Sequence, residues 1–134
     1  MTLSDVAAMK TAVGILADDY AAVTTNGTGI DTTGYHQALI VVNAGVITTT
    51  LDVKIQESSD NGVADAFADI TGAAFAQILA AADNLVVVGR VNLQGTEQYI
   101  RVVGTGVGGS QSYSATVIMS PYYTGDGSTF DFEV

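Results

Sequence analysis

In the stretch 51–57 apolar and polar side chains alternate through Gln56: Leu51, Val53 and Ile55 on one side, Asp52, Lys54 and Gln56 on the other. A repeat of two belongs to a pleated strand with one buried and one wet face. No helix can sort residues this way. The surrounding sequence has the same texture, Val- and Thr-rich runs broken at short intervals by Gly, Asn and Asp, which suits strands joined by tight turns. Residues 35–42 are almost continuously apolar after His36 and Gln37 and predict a strand buried on both sides. Asn43, Ala44 and Gly45 predict an interruption before Val46 and Ile47 lead through three threonines into the alternating strand. Ser58, Ser59, Asp60, Asn61 and Gly62 form a turn by composition, because Asn-Gly supplies positive φ and the Ser and Asp side chains bond locally.

Further along, Leu85, Val87, Val91 and Leu93 fall on one face of a strand over residues 85–93. Residues 99–104 and 113–122 predict a hairpin around the glycine-rich stretch 104–110, with the single proline, Pro121, at its far end. Helix signals are weak. Ser4 suits the cap of a short turn through Met9, and residues 75–82 are Ala-rich but read as a strand or irregular edge. With residues 20–24, 46–57, 66–70 and 75–79, the pattern predicts about eight strands in an all-β, two-sheet antiparallel β-sandwich of jelly-roll type. The expected organisation is one domain over residues 1–123, with an N-terminal arm at 1–10, followed by residues 124–134 as a tail or edge strand. Phe130 and Phe132 alternate with acids in that last segment, which either completes a sheet of its own subunit or packs on a partner.

Charge excludes several partners. Lys10, Lys54, Arg90 and Arg101 stand against 14 acids, a net charge of -10, so neither a phosphate backbone nor an anionic membrane is an expected partner. Asp5 precedes any basic residue, so no secretory signal is expected, and the weakly polar run at 72–82 is too short to span a bilayer. The absence of Cys removes disulfides, thiolate zinc sites and thiol nucleophiles.

Motifs that suggest chemistry have simpler explanations. Residues 104–109 satisfy G-x-G-x-x-G, but the residues after them are strand-like, whereas dinucleotide binding needs a helix whose N-terminus meets the pyrophosphate. His36 has no local nucleophile or orienting acid and reads as a strand-entrance residue; Ser58, Ser59 and Ser112 become partners only if folding brings them close. Glu57, Asp60, Asp65 and Asp69 miss the register of a calcium loop and read as solvated acids at turns and exposed faces. No catalytic residue, metal site or cofactor is expected.

Residues 52–62, then Phe67 to Ile70, then Tyr99 to Val103, the glycine turn and Ser114 to Ile118 resemble small virion proteins of tailed bacteriophages, in particular head decoration (cement) proteins. Phe67 stands where that pattern carries Trp. The resemblance covers residues 35–120 and implies a non-catalytic β-sandwich, made in the host cytoplasm. It would sit on the outer surface of an assembled capsid, contact the major capsid protein and copies of itself as a dimer or trimer, and bridge neighbouring capsomers. On that reading Met1, Leu3, Tyr122, Tyr123, Phe130 and Phe132 are the expected partner contacts. The alternative is a carbohydrate- or receptor-binding sandwich of a tail or attachment apparatus, with Tyr20, Tyr99 or Tyr113 lining a sugar groove.

Overall fold

A computed structural model describes residues 7–82, 84–121 and 132–134. Its strands are β1 (Lys10–Tyr20), β2 (Thr24–Asn26), β3 (Ile30–Asp31), β4 (Gln37–Ile47), β5 (Thr50–Ser58), β6 (Ala68–Ala74), β7 (Ile78–Leu79), β8 (Leu85–Asn92), β9 (Tyr99–Val107), β10 (Gln111–Ser120) and β11 (Phe132–Glu133).

The register reveals how the chain is rolled. Lys10 pairs with Met119, Thr24 with Thr105, Gln37 with Asn92, and Glu57 with Ala68. In each pair the two residues stand almost equally far along the chain from the turn at residues 59–65. The chain is therefore one long antiparallel ribbon folded back on itself near that turn. Rolling the ribbon adds the pairs β10–β4 and β9–β5 and yields two sheets, β1-β10-β4-β8-β11 and β2-β9-β5-β6, with β3 also on β9 and β7 also on β5. This is jelly-roll topology, as the strand spacing predicted.

The tip of the ribbon explains itself chemically. Asn61 (φ 62°) and Gly62 (φ 79°) adopt left-handed conformations. The Asp60 carboxylate accepts N–H bonds from Val63 (3.0 Å) and Ala64 (2.7 Å), and the Ser58 hydroxyl oxygen accepts the Gly62 N–H at 2.8 Å. Asp65 closes the loop by accepting from the Ser59 N–H and hydroxyl.

Between the sheets lies one core. Ile40, Val42, Val91, Val117 and Met119 come from the five-stranded sheet, and Leu51, Val53, Ile55, Ile100 and Val102 from the six-stranded sheet. Each fully buried aliphatic side chain of this kind contributes roughly 1.5–3 kcal/mol. The alternation at 51–57 thus points its apolar set inward.

Three sequence expectations are corrected and one is met. The longest strand in the first quarter is β1, which runs from the end of the expected arm at Lys10 to Tyr20, where the expected strand over 20–24 begins; register shifts between Val13 and Ile15 and between Ile15 and Asp18 break its alternation. β4 continues through Asn43, Ala44 and Gly45, because Asn43 simply takes the outward position, and the break falls at Thr48 and Thr49. The segment after β6 is the short strand and irregular edge expected, with a buried Phe75, a two-residue strand and a 3₁₀ turn at Ala80–Ala82. Finally, β9 and β10 are no hairpin: they lie in different sheets, and residues 108–110 cross from one to the other. The glycines make that crossover possible. Gly108 (φ +70°) and Gly109 (φ +112°) form the turn, while Gly104 and Gly106 leave room for the Tyr113 and Gln111 side chains above them.

Candidate functional site

The two outer faces differ in kind. On the six-stranded sheet, the Arg101 guanidinium donates to Gln56 Oε1 through Nε (2.9 Å) and Nη2 (2.7 Å) and lies 4.3 Å from the centre of the Phe67 ring. Gln56 Nε2 donates to Asp69 Oδ1 at 2.7 Å, and Lys54 Nζ pairs with Asp69 Oδ2 at 2.8 Å. The bond from Lys54, then that from Gln56, holds the Asp69 carboxyl below its ordinary value. Nearby, Gln77 donates to Asp52. This face is a polar network that satisfies itself.

On the five-stranded sheet, cross-strand rows bring apolar side chains to the outside. Val13 stands opposite Thr116, Thr116 opposite Val41, and Val41 opposite Val88. The neighbouring rows add Ile118 beside Leu39, which in turn stands opposite the buried Arg90, and Val86 beside Asn43. None of these residues belongs to the core cluster, and Val13 and Val86 are 55% and 58% exposed. The acidic end of this face is a shallow depression lined by Asp18, Asp19, Asn43, Ser112 and Ser114, in which the Ser112 hydroxyl donates to Asp19.

A cleft of about 250 Å³ opens along one side of the sandwich, between the free edges of β1 and β2. Ile15, Leu16 and Tyr20 form one wall and Thr25, Asn26 and Thr28 the other. Gly14 and Gly27 touch across its floor: a Cβ on Gly27 would fall on the Gly14 carbonyl oxygen. The Tyr20 hydroxyl donates to the Leu16 carbonyl at 2.7 Å. The Tyr113 ring lies beneath, 5.0 Å from the Tyr20 ring. Its buried hydroxyl, close to Thr25, completes no hydrogen bond of good geometry, and burial pushes the phenol above its usual range.

The acids flagged in the sequence serve the turns. Asp60 and Asp65 are held low by the N–H groups they cap, Asp60 chiefly by Ala64 and Asp65 chiefly by Ser59. Glu97, which reaches Asp65, is pushed up by desolvation first and by that hydrogen bond second, while its own N–H donates to Glu57 at 2.8 Å. Among the described residues no group of three or more His, Asp or Glu is placed to hold a metal ion, and no helix is long and apolar enough to cross a membrane. His36 sits at the entrance to β4, its N–H on the Ser120 carbonyl and its carbonyl on the Leu93 N–H. Ser112 lies at the opposite end of β10, so the two are not brought together.

Of the expected partner contacts, Met1, Leu3, Tyr122, Tyr123 and Phe130 lie outside the described residues. Phe132 is buried in its own chain, 4.8 Å from Phe75 and edge-on to it, in a strand that pairs parallel with β8. Of the three tyrosines expected in a sugar groove, only Tyr20 lines a cleft. Tyr113 is inside the sandwich beside Tyr20, and Tyr99 belongs to the six-stranded sheet's outer side, where it pairs with Ser58 and Asp31. The sequence reading missed Val13, Leu39, Val41, Val86, Val88 and Ile118. Their signal was present as apolar residues at the outward positions of strands that ran apolar throughout.

No protein-family model matches the chain, and no curated protein does. Solved structures do resemble it. The SPBc2 prophage-derived protein YomS superposes with a TM-score of 0.52 at 10% identity, over 83% of this chain and 91% of that one. A protein of the disulfide-linked pili that form Bacillus endospore appendages gives 0.48 at 12% identity, over 84% and 87%. The VP2 subviral particle of infectious bursal disease virus gives 0.45 at 14% identity, over 84% of this chain and 32% of the viral one. A prophage-derived protein is thus among the structures this fold is similar to.

Proposed function

We propose that this chain is a structural virion protein that binds the outer surface of an assembled phage capsid and stabilises it by bridging neighbouring capsomers. The observation that carries this reading is the apolar outer face of the five-stranded sheet, set against the self-satisfied polar face on the other side. An apolar patch outside the core favours docking onto another surface, because burying it removes it from water. The jelly-roll fold it has in common with a prophage-derived protein supports the same reading.

The mechanism is non-catalytic. A protein that binds the assembled shell but not its free subunits stabilises the shell by mass action. Dimers or trimers multiply the effect, since linked contacts raise the effective concentration of each next one. The net charge of -10 keeps free copies apart before they reach the shell. In this reading Met1, Leu3, Tyr122, Tyr123 and Phe130 extend the contact beyond the sheet face, onto the major capsid protein or a sibling copy.

Co-sedimentation with phage heads lacking the protein tests this, comparing the natural chain with Val13→Glu and Val86→Glu. Both positions are exposed, so the variants keep the natural melting temperature, and the expected result is loss of binding. A natural chain that stays in the supernatant, or variants that pellet as well as it does, overturns the proposal.

A further inference from the structure

The side cleft between β1 and β2 is a concave feature that neither the core nor the docking face explains. We infer that it is a binding site for a single ring of an uncharged carbohydrate. This stands apart from the capsid reading, since the cleft opens at the sandwich edge and not on the five-stranded face.

Three observations lead there. First, no residue lining the cleft carries a charge, in a chain with 14 acids. Anions and cations therefore find no counter-charge there, and a neutral ligand loses nothing by entering. Second, the walls differ: Ile15, Leu16 and the Tyr20 ring are apolar, while Thr25, Asn26 and Thr28 offer hydroxyls and an amide. A pyranose has the same two-sidedness, a C–H face and a rim of hydroxyl donors and acceptors, and aromatic rings with a few placed polar groups are how such ligands are oriented. The side chains of Asn26 and Thr28 make no hydrogen bond among the described residues, which leaves both open to a ligand. Third, beside Tyr20 and close to Thr25 lies the buried Tyr113 hydroxyl, which completes no hydrogen bond of good geometry among the described residues. A buried phenol lacking a partner is costly and uncommon in a finished structure. A sugar hydroxyl bonded to Thr25, which lines the cleft, connects the ligand to that phenol through one side chain.

An added peptide strand is the rival occupant, and the backbone argues against it. Strand addition needs a row of free N–H and C=O groups. Two register shifts break β1, its Gly14 carbonyl lies against Gly27, its Leu16 carbonyl accepts from Tyr20, and β2 is three residues long. The cleft's volume of about 250 Å³ also falls below that of sites for drug-sized ligands, which suits one ring.

The test is an amide-resolved NMR titration of the full chain with methyl glycosides of glucose, galactose, mannose and xylose, and with glucuronate. The expected result is saturable shifts confined to residues 13–16, 20 and 25–28 with at least one neutral glycoside, and weaker binding of glucuronate. Asn26→Ala should bind about tenfold more weakly, the effect of one lost hydrogen bond. Leu16→Arg, at a side chain 70% exposed, should abolish binding without touching the fold. The inference is overturned by the absence of saturable shifts, by shifts elsewhere, by glucuronate binding as tightly as the neutral sugars, or by Leu16→Arg binding like the natural chain. It is equally overturned if the free protein proves a dimer that Leu16→Arg dissociates, since the cleft then serves a second copy.

Discussion

The Gln111 side chain is bonded to the backbone of Thr48: Oε1 accepts the Thr48 N–H at 2.8 Å. Its Nε2 donates to the carbonyls of Val107 at 2.9 Å and Gly109 at 3.3 Å, so one buried amide ties the β4–β5 turn to the β9–β10 crossover. Gln111 has no exposed surface, and truncating it takes the partner from one donor and two acceptors and leaves a cavity where the amide packed. Gln111→Ala is expected to lower unfolding stability by about 2–4 kcal/mol. The measurement is the urea midpoint at unchanged slope. Gln111→Glu should destabilise at neutral pH, where its carboxylate faces two carbonyls, and recover part of the loss on acidification.

Gly104 and Tyr113 form a coupled pair. A Cβ at residue 104 would collide with the Tyr113 hydroxyl, so Gly104→Ala should cost about 1–3 kcal/mol as an overpacked core does. Tyr113→Phe deletes a hydroxyl that completes no hydrogen bond of good geometry among the described residues and should leave stability unchanged or raised. In the Tyr113→Phe background Gly104→Ala should then cost measurably less. Thermal denaturation of the four proteins gives the coupling, and strict additivity would refute the contact.

The carboxyl groups predict opposite pH responses. Asp31, Asp60, Asp65 and Asp69 all titrate below their ordinary value in the folded protein, through hydrogen bonds led by Thr33, Ala64, Ser59 and Lys54 respectively. Their contribution is complete above the unfolded value near 3.8 and is lost as pH falls through the folded values. Glu97 is raised, so its contribution is complete below 4.5 and disappears as pH rises through its folded value. Stability measured by denaturant from neutral pH downward should therefore fall below about pH 4. Asp60→Asn should flatten that fall, and Glu97→Gln should stabilise the protein at neutral pH more than in acid.

Folding should begin at the ribbon's tip. Glu57 and Ala68 are close in sequence, whereas Lys10 and Met119 meet only after most of the chain has been rolled. Closing short loops first is entropically cheapest. Asp60→Ala removes the acceptor for the N–H groups of Val63, Ala64 and Asp65, and should slow folding while leaving unfolding nearly unchanged. A stopped-flow chevron decides it; an effect confined to the unfolding arm would place the tip late.

What could be read without coordinates was whatever depends on neighbours in sequence. The period of two at 51–57 establishes a strand and its buried side, and Asn61–Gly62 with Asp60 establishes the turn, because pleat geometry and left-handed backbone are local properties. Jelly-roll class followed from the number and spacing of such units. Partner choice between strands is a long-range matter, and alternation marks a strand's faces without saying what lies beside it. Only the rolled ribbon assigned β9 and β10 to opposite sheets, turned the apparent hairpin glycines into a crossover, and placed Val13, Val41 and Val88 in one outward row. β1 escaped notice for a related reason: its bulges shift the pleat twice, and bulges are settled by the partner strand. The cleft has walls drawn from β1 and β2, which meet only because the two sheet edges close on the same side of the core.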